Sequence, residues 1–216
     1  MEYLDIVNAV LKRLRETTVA SISQTAYSAM VGAFVNDAKE IVEGAWDWSS
    51  NRMTISVATV ASTSTYSLTG AGDKLELMGA WNNTSQCNLV RVDEAWYKNK
   101  LYTGGVSQEG SPVKFTFTGP DSNGDAQVVV YPTPDAVYDL KFWIQAKQAE
   151  LSAADDVMRI PSKPVILHAV AMLAEEKGET GGMTSKRYFE MAEKVLNDSI
   201  AYDAAKSPRE TDWRVT

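Results

Sequence analysis

At 216 residues the chain suits one large domain or two intimately joined ones, and it can bury roughly 70% of the surface its unfolded form exposes without a covalent staple. Its 44% hydrophobic and 23% charged residues are those of an ordinary soluble protein, and 21 Lys and Arg against 28 Asp and Glu give a net charge of −7. That balance argues against an avid, unspecific nucleic-acid binder but not against a surface that DNA merely passes, and the lone Cys87 excludes an intrachain disulfide or a cysteine-based metal cluster.

The opening Met1-Glu2-Tyr3-Leu4-Asp5 is acidic where a signal peptide is basic, and no apolar core follows it. The longest apolar run, 165–174, contains His168 and falls short of the ~20 residues that span a bilayer. The expectation is a protein made and kept in a cytoplasm, or built into something assembled there, with no membrane partner.

Leu4, Val7, Leu11 and Leu14 form a one-sided stripe, which predicts a first helix. Lys12, Arg13 and Arg15 near its end suit the negative pole of the helix dipole. Capping hydroxyls over 21–25 precede a second helix, on which Tyr27, Val31, Phe34, Ala38, Ile41 and Ala45 share a face broadened by Met30, Val35 and Val42. It ends near Gly44, and Trp46-Asp47-Trp48 follows directly.

There the period changes to two. Met53, Ile55 and Val57 alternate with Thr54, Ser56 and Ala58, predicting a half-buried strand. A turn at Ser62-Thr63-Ser64 leads to a return strand beginning with Tyr66 and Leu68, and Gly70-Ala71-Gly72-Asp73 turns again. Further strands are predicted over 75–81, 89–92, 113–118, 127–131 and 138–148, with a brief helix after Asp93 carrying Trp96 and Tyr97. Asn123-Gly124 is the strongest two-residue hairpin signal in the chain. Such spacing suggests an antiparallel sandwich or barrel.

Residues 151–160 read as a polar linker ending at Pro161. Ser162-Lys163-Pro164 opens a third helix, and Val165, Ile166, Ala169, Val170, Met172 and Leu173 give it a wide apolar face. Gly178 and Gly181-Gly182 stop it. Thr184 or Ser185 caps a fourth, where Tyr188, Ala192, Val195, Ser199 and Tyr202 share a face with Phe189, Leu196 and Ile200. Pro208 ends the helical region.

Little in this chain carries chemistry. His168, the single histidine, lies on an apolar helix and reads as a half-buried core residue. Asp121-Ser122-Asn123-Gly124-Asp125 opens like a calcium loop, but Ala126 stands in the place of the turn glycine and Pro132 in that of the bidentate glutamate, so it reads as a hairpin turn. Gly70-Ala71-Gly72-Asp73-Lys74 lacks the Gly-Lys-Ser/Thr ending of a phosphate loop and joins two strands. Asp155-Asp156 lies in the expected linker, a poor scaffold for acid–base work. No enzyme, cofactor or metal is expected.

Six tryptophans and nine tyrosines remain. Core packing accounts for Trp46, Trp48, Trp81, Trp96 and Trp143, while an aromatic platform would make the β-rich part a carbohydrate-binding module with helical flanks. Trp213 stands apart in a polar end with Arg209, Glu210, Asp212 and Arg214, a pattern that suits an anchor ordering on a partner. Arg209, Trp213 and Arg214 are the candidate partner-binding residues.

The order of these elements resembles the head-to-tail adaptor proteins of tailed bacteriophages, of the tail tubular or gatekeeper type. The likeness lies in the helix ending at Trp46-Asp47-Trp48, in Thr65-Tyr66-Ser67-Leu68, in Tyr131-Pro132-Thr133-Pro134 before a long strand, and in Ile160-Pro161 opening a helix. Thr69 stands where such proteins often carry a proline. The resemblance implies a cyclic homo-oligomer, commonly twelvefold, at the head–tail junction of the virion. It would dock on the portal protein, meet a downstream tail or nozzle protein, and pass DNA through its lumen.

The expected fold is α+β: a helical bundle from both chain ends, 1–48 and 161–204, carrying an inserted antiparallel β-sandwich or barrel over 49–160. Trp46 and Trp48 mark the seam, where they would pack helix against sheet, and 205–216 form an extended tail.

Overall fold

A computed structural model describes residues 1–206 except 73, 104–107, 177 and 179–184. Among the described residues the chain is a mixed α/β protein with five α-helices and two mainly antiparallel sheets. It divides into two compact units, Met1–Asn51 with Gln148–Thr216, and Arg52–Lys147.

The first unit holds α1 (Tyr3–Arg13), α2 (Ala26–Gly44), α4 (Ser162–Glu176) and α5 (Ser185–Ala204), and the second holds α3 (Glu94–Thr103). Helix α4 packs on α1, α2 and α5, and α1 packs on α2. Their core joins Ile6, Val10 and Leu11 of α1 to Val31, Val35 and Val42 of α2 and Val165, Val170 and Leu173 of α4. The breadth of the α4 apolar face follows from this: ten of its fifteen residues are buried, as a helix with neighbours on several sides requires.

Helix α2 begins with a capping box. Thr25 Oγ1 accepts from the Ser28 amide at 2.9 Å, and Ser28 Oγ accepts from the Thr25 amide at 3.0 Å. Helix α1 has no side-chain cap. Its first amides are satisfied from far along the chain, Tyr3 N donating to the Asp156 carbonyl at 2.9 Å and Leu4 N to that of Ala154 at 3.1 Å. Where α1 meets α2, a Cβ on Gly32 would stand 2.7 Å from the Tyr3 hydroxyl oxygen, so a side chain here would have to displace the buried Tyr3 ring.

The faces of three helices differ from the expected stripes. Tyr3, Ile6, Val7, Val10 and Leu11 are buried on α1, whereas Leu4 and Leu14 are only half-buried. On α2 the core-facing row is Ser28, Val31, Val35, Ala38 and Val42, and Ile41 is 49% exposed. On α5 Tyr202 is 78% exposed and the neighbouring Asp203 is buried in its stead.

Residues 151–160 are not a polar linker. Leu151, Met158 and Ile160 lie in the helical core, and Val157 forms a bridge with Glu2. Asp156 organises the segment: its Oδ2 accepts from the amides of Ser152 at 2.7 Å and Ala153 at 2.8 Å. These amide bonds hold the Asp156 carboxyl below the ordinary aspartate value. A lowered folded-state value stabilises the fold above the unfolded pKa, about 3.9, and is lost as pH falls through the folded one. The melting-temperature gap between the wild-type protein and Asp156→Asn should therefore be open at neutral pH and close below about pH 4. A gap unchanged down to pH 2 would refute this account.

The second unit contains β1 (Arg52–Ala58), β2 (Thr65–Ser67), β3 (Leu75–Asn82), β4 (Cys87–Asn88), β5 (Val90–Arg91), α3 (Glu94–Thr103), β6 (Lys114–Thr118), β7 (Gln127–Tyr131) and β8 (Asp139–Ala146). One sheet has the order β1-β8-β3-β4 and the other β2-β7-β6-β5. They share one core, with Ile55, Val57, Leu140, Phe142 and Ile144 from the first and Phe115, Val128 and Val130 from the second. The rings of Phe115 and Phe142 meet edge to face at 5.4 Å. Along β8 the alternation is nearly complete: Leu140, Phe142, Ile144 and Ala146 are buried while Trp143 is exposed.

Three expectations for this unit change. The strand after Ser62-Thr63-Ser64 does not return along β1, because β2 pairs with β7 in the other sheet. The insert is not wholly antiparallel, since β5 runs parallel to β6. No hydrogen-bonded closure into a barrel joins the two sheets among the described residues.

The β6–β7 hairpin is present, but its turn is not the two-residue type that Asn-Gly favours. Gly124 alone of that pair has positive φ (84°), and Gly124 N donates to the Asp121 carbonyl at 3.1 Å. Asp121 Oδ1 accepts from the Asn123 and Asp125 amides at 2.8 and 3.0 Å. The Ser67 hydroxyl and these amides lower the Asp121 pKa, so this carboxylate is spent on the turn.

Candidate functional site

The most concentrated buried polar chemistry of the first unit lies where the chain leaves it and comes back. Helix α2 carries Asn36, Lys39 and Glu43 at intervals of three and four, hence on one face. Lys39 and Glu43 are 4% and 5% exposed. Lys39 Nζ stands 3.2 Å from Glu43 Oε2 and donates to the Gln148 carbonyl at 2.5 Å. Glu43 Oε1 accepts from the Gln148 amide at 2.7 Å and from Asn51 Nδ2 at 2.8 Å. One turn earlier, Asn36 makes a reciprocal pair with the backbone of Leu151, both bonds 3.0 Å.

Asn51 is the last residue before β1, and Gln148 lies two residues after the end of β8. The row on α2 therefore grips both crossings of the chain at once. A buried ion pair in this setting costs desolvation, and its added hydrogen bonds offset that cost by satisfying backbone groups that would otherwise be orphaned. It is a clamp with fixed geometry, and it holds no reactive group free.

Trp48 stands beside it. The indole is fully buried in the helical core and its Nε1 donates to the Val42 carbonyl at 2.8 Å. Trp46 packs against the same core. Next in the chain, Ser49 binds the end of α5: its amide donates to Asp203 Oδ2 at 2.8 Å and its hydroxyl to Oδ1 at 2.6 Å. Lys206 Nζ approaches Oδ1 at 3.2 Å. Burial works to raise the Asp203 pKa, but Ser49 and Lys206 outweigh it and the value is lowered.

Residues proposed for chemistry fall into structural places. His168 is 6% exposed, and its Nδ1 lies 3.0 Å from the Pro164 carbonyl one turn earlier. Among the described residues no group of three or more His, Cys, Asp or Glu side chains could hold a metal ion. Trp96 meets Tyr131 edge to face at 5.4 Å and lies 4.1 Å beneath Lys114 Nζ. Trp143 is the exposed tryptophan of the described ones, and its ring covers Gly79 on the paired strand. Arg209, Trp213 and Arg214 lie outside the described residues.

Sequence reading missed the clamp because it counted apolar positions on α2. The signal was nevertheless present: Lys39 falls between Ala38 and Val42, inside the sector the apolar residues define, with Glu43 four positions on.

Among the described residues, the buried polar groups of the first unit hold the chain where it leaves and returns. A family model described as SU10 adaptor protein matches residues 1–214, and the chain belongs to that family. Membership carries a phage adaptor role and agrees with the head-to-tail adaptor resemblance read from the sequence. Comparison with curated proteins gives no match. No helix among the described residues is long and apolar enough to cross a membrane.

Proposed function

We propose that this protein is the head-to-tail adaptor of a tailed phage virion. Copies would form a closed ring, commonly twelvefold in such adaptors, that docks on the portal, continues the DNA channel, and meets a downstream tail or nozzle protein. The observation that carries this reading is the adaptor family match across residues 1–214. A closed ring from one repeated subunit uses head-to-tail interfaces, which suit a part that must join two unlike neighbours. The net charge of −7, multiplied around a ring, favours a lumen that DNA crosses without being held.

In this reading the helices of both chain ends act as one bundle carrying the β-rich insert, with Trp46 and Trp48 at the seam. The tail grips the portal through Arg209, Trp213 and Arg214. Its composition, one aromatic among charges, is that of a segment that orders on its partner. Negative-stain images of the protein, alone and mixed with purified portal, test the ring. Removing 209–216 should abolish co-sedimentation with the portal while leaving the circular dichroism spectrum and melting temperature unchanged. Unchanged docking would remove the tail from this account.

A further inference from the structure

The two sheets of the second unit are joined along one side by a segment that covers only half of that side. β4 pairs with β3 at Trp81 and Asn82, Leu89 is buried at the corner, and β5 pairs with β6 at Lys114 and Phe115. Beyond that crossing, residues 75–79 of β3 and 116–118 of β6 have no strand on this side among the described residues. The Phe115 carbonyl faces β5 and accepts from the Val92 amide at 2.8 Å. Two residues on, the backbone of Phe117 faces the same way, but the chain has turned aside to begin α3 at Glu94.

Between these open edges lies a slot of about 420 Å³, within the size range of ligand sites. Leu75 and Leu77 line it from one sheet and Phe117 from the other, and all three are half-buried members of the core. Glu76 also borders the slot, but it is exposed and alternates to the other face of its sheet. Arg91 brings a positive charge: its guanidinium lies 5.0 Å over the Phe117 ring, and no carboxylate of the described residues pairs with it. Open backbone, an apolar floor and a cation are answered together by an extended peptide. It supplies N–H and C=O groups to a strand edge, apolar side chains at every second position, and a carboxylate. A compact apolar ligand would leave the edge backbone unanswered, and a folded sheet edge would keep its apolar side chains in its own core.

We infer that this slot docks an extended acidic segment of a protein partner. The segment adds as a strand along β6 where β5 ends, lays alternate apolar side chains on Leu75, Leu77 and Phe117, and sets its carboxylate against Arg91. The inference stands whether or not the tail and ring readings hold.

The probe is a fluorescein-labelled peptide of eight residues, valine alternating with threonine and ending in aspartate, titrated into the full chain by fluorescence anisotropy. Binding should saturate. Exchanging the aspartate for lysine should weaken it about two- to fivefold in wild type but not in Arg91→Gln. N-methylation of one alternate set of peptide amides should abolish binding, while methylation of the other set should leave it within about twofold, because only one set faces β6. Leu77→Lys places a charged stem in the slot and should remove binding, and Leu77→Met, which keeps the volume, should retain it. Arg91→Gln, at an exposed position, and the methylated peptides keep the test available if Leu77→Lys does not fold.

Binding weaker than about 1 mM overturns the inference, as does binding that neither the methylations nor Leu77→Lys alter. Self-association of the free chain that the peptide competes away would put a second copy in the slot and overturn the partner reading.

Discussion

Replacing Glu43 by alanine should cost about 3–5 kcal/mol, more than its two carboxylate oxygens suggest. The change leaves the Lys39 ammonium buried beside a carbonyl with no counter-charge, and it strips the acceptor from the Gln148 amide and from Asn51 Nδ2. Orphaned buried donors, at roughly 1–3 kcal/mol each, make up much of that total. Buried ion pairs can often be exchanged for apolar residues at little cost, but here the pair also satisfies chain backbone. Lys39→Met with Glu43→Leu should therefore remain destabilised, because Gln148 keeps both an unpaired amide and an unpaired carbonyl. Glu40→Ala, on the exposed side of the same helix, should change stability by less than about 0.5 kcal/mol. Urea unfolding followed by circular dichroism at 222 nm reads all three. A Glu43→Ala variant as stable as Glu40→Ala would dissolve the clamp as an energetic feature.

The second large effect is expected at Trp48. Truncation to alanine removes a fully buried indole from the helical core and should cost about 3–5 kcal/mol, since a packed core relaxes only partly into the space left behind. Trp48→Phe separates packing from hydrogen bonding. It keeps much of the buried ring but removes the indole donor from the Val42 carbonyl, which retains the Ala45 amide at 3.3 Å, a loss of roughly 0.5–1.5 kcal/mol. Trp143→Ala, removing a ring that is 43% exposed, should cost at most about 1 kcal/mol. The same urea titration ranks the three, and a Trp143→Ala loss equal to that of Trp48→Ala would contradict the assignment of Trp48 to the core. Glu43 and Trp48, five positions apart and on either side of the end of α2, thus put two large expected losses at the exit from the first unit.

Local signals in this chain were legible where one residue's environment repeats at a fixed period. The alternation of Met53, Ile55 and Val57 marks β1, and that of Leu140, Phe142 and Ile144 marks β8, because side chains on a strand take turns facing the core. The capping hydroxyls before α2 and the proline in the first turn of α4 mark helix starts for equally local reasons. Periodicity also fails for a physical reason. Ile41 and Tyr202 sit on rows that look apolar in sequence, yet a helix shows its core face where a neighbour lies, and here that face runs through Lys39, Glu43 and Asp203.

By itself the sequence determined the order of helical ends and β-rich middle, and the family, whose pattern runs from residue 1 to 214. Only the tertiary structure decided the partners. It placed β2 beside β7 instead of β1, and drew residues 151–160 into the helical core to satisfy the first amides of α1. It also brought Asn36, Lys39 and Glu43 to the backbone of Gln148 and Leu151, and Asp203 to Ser49. Those contacts join residues more than a hundred positions apart. Each is held by burial and hydrogen-bond satisfaction, which depend on where the chain returns in space, and no local period in a sequence records that.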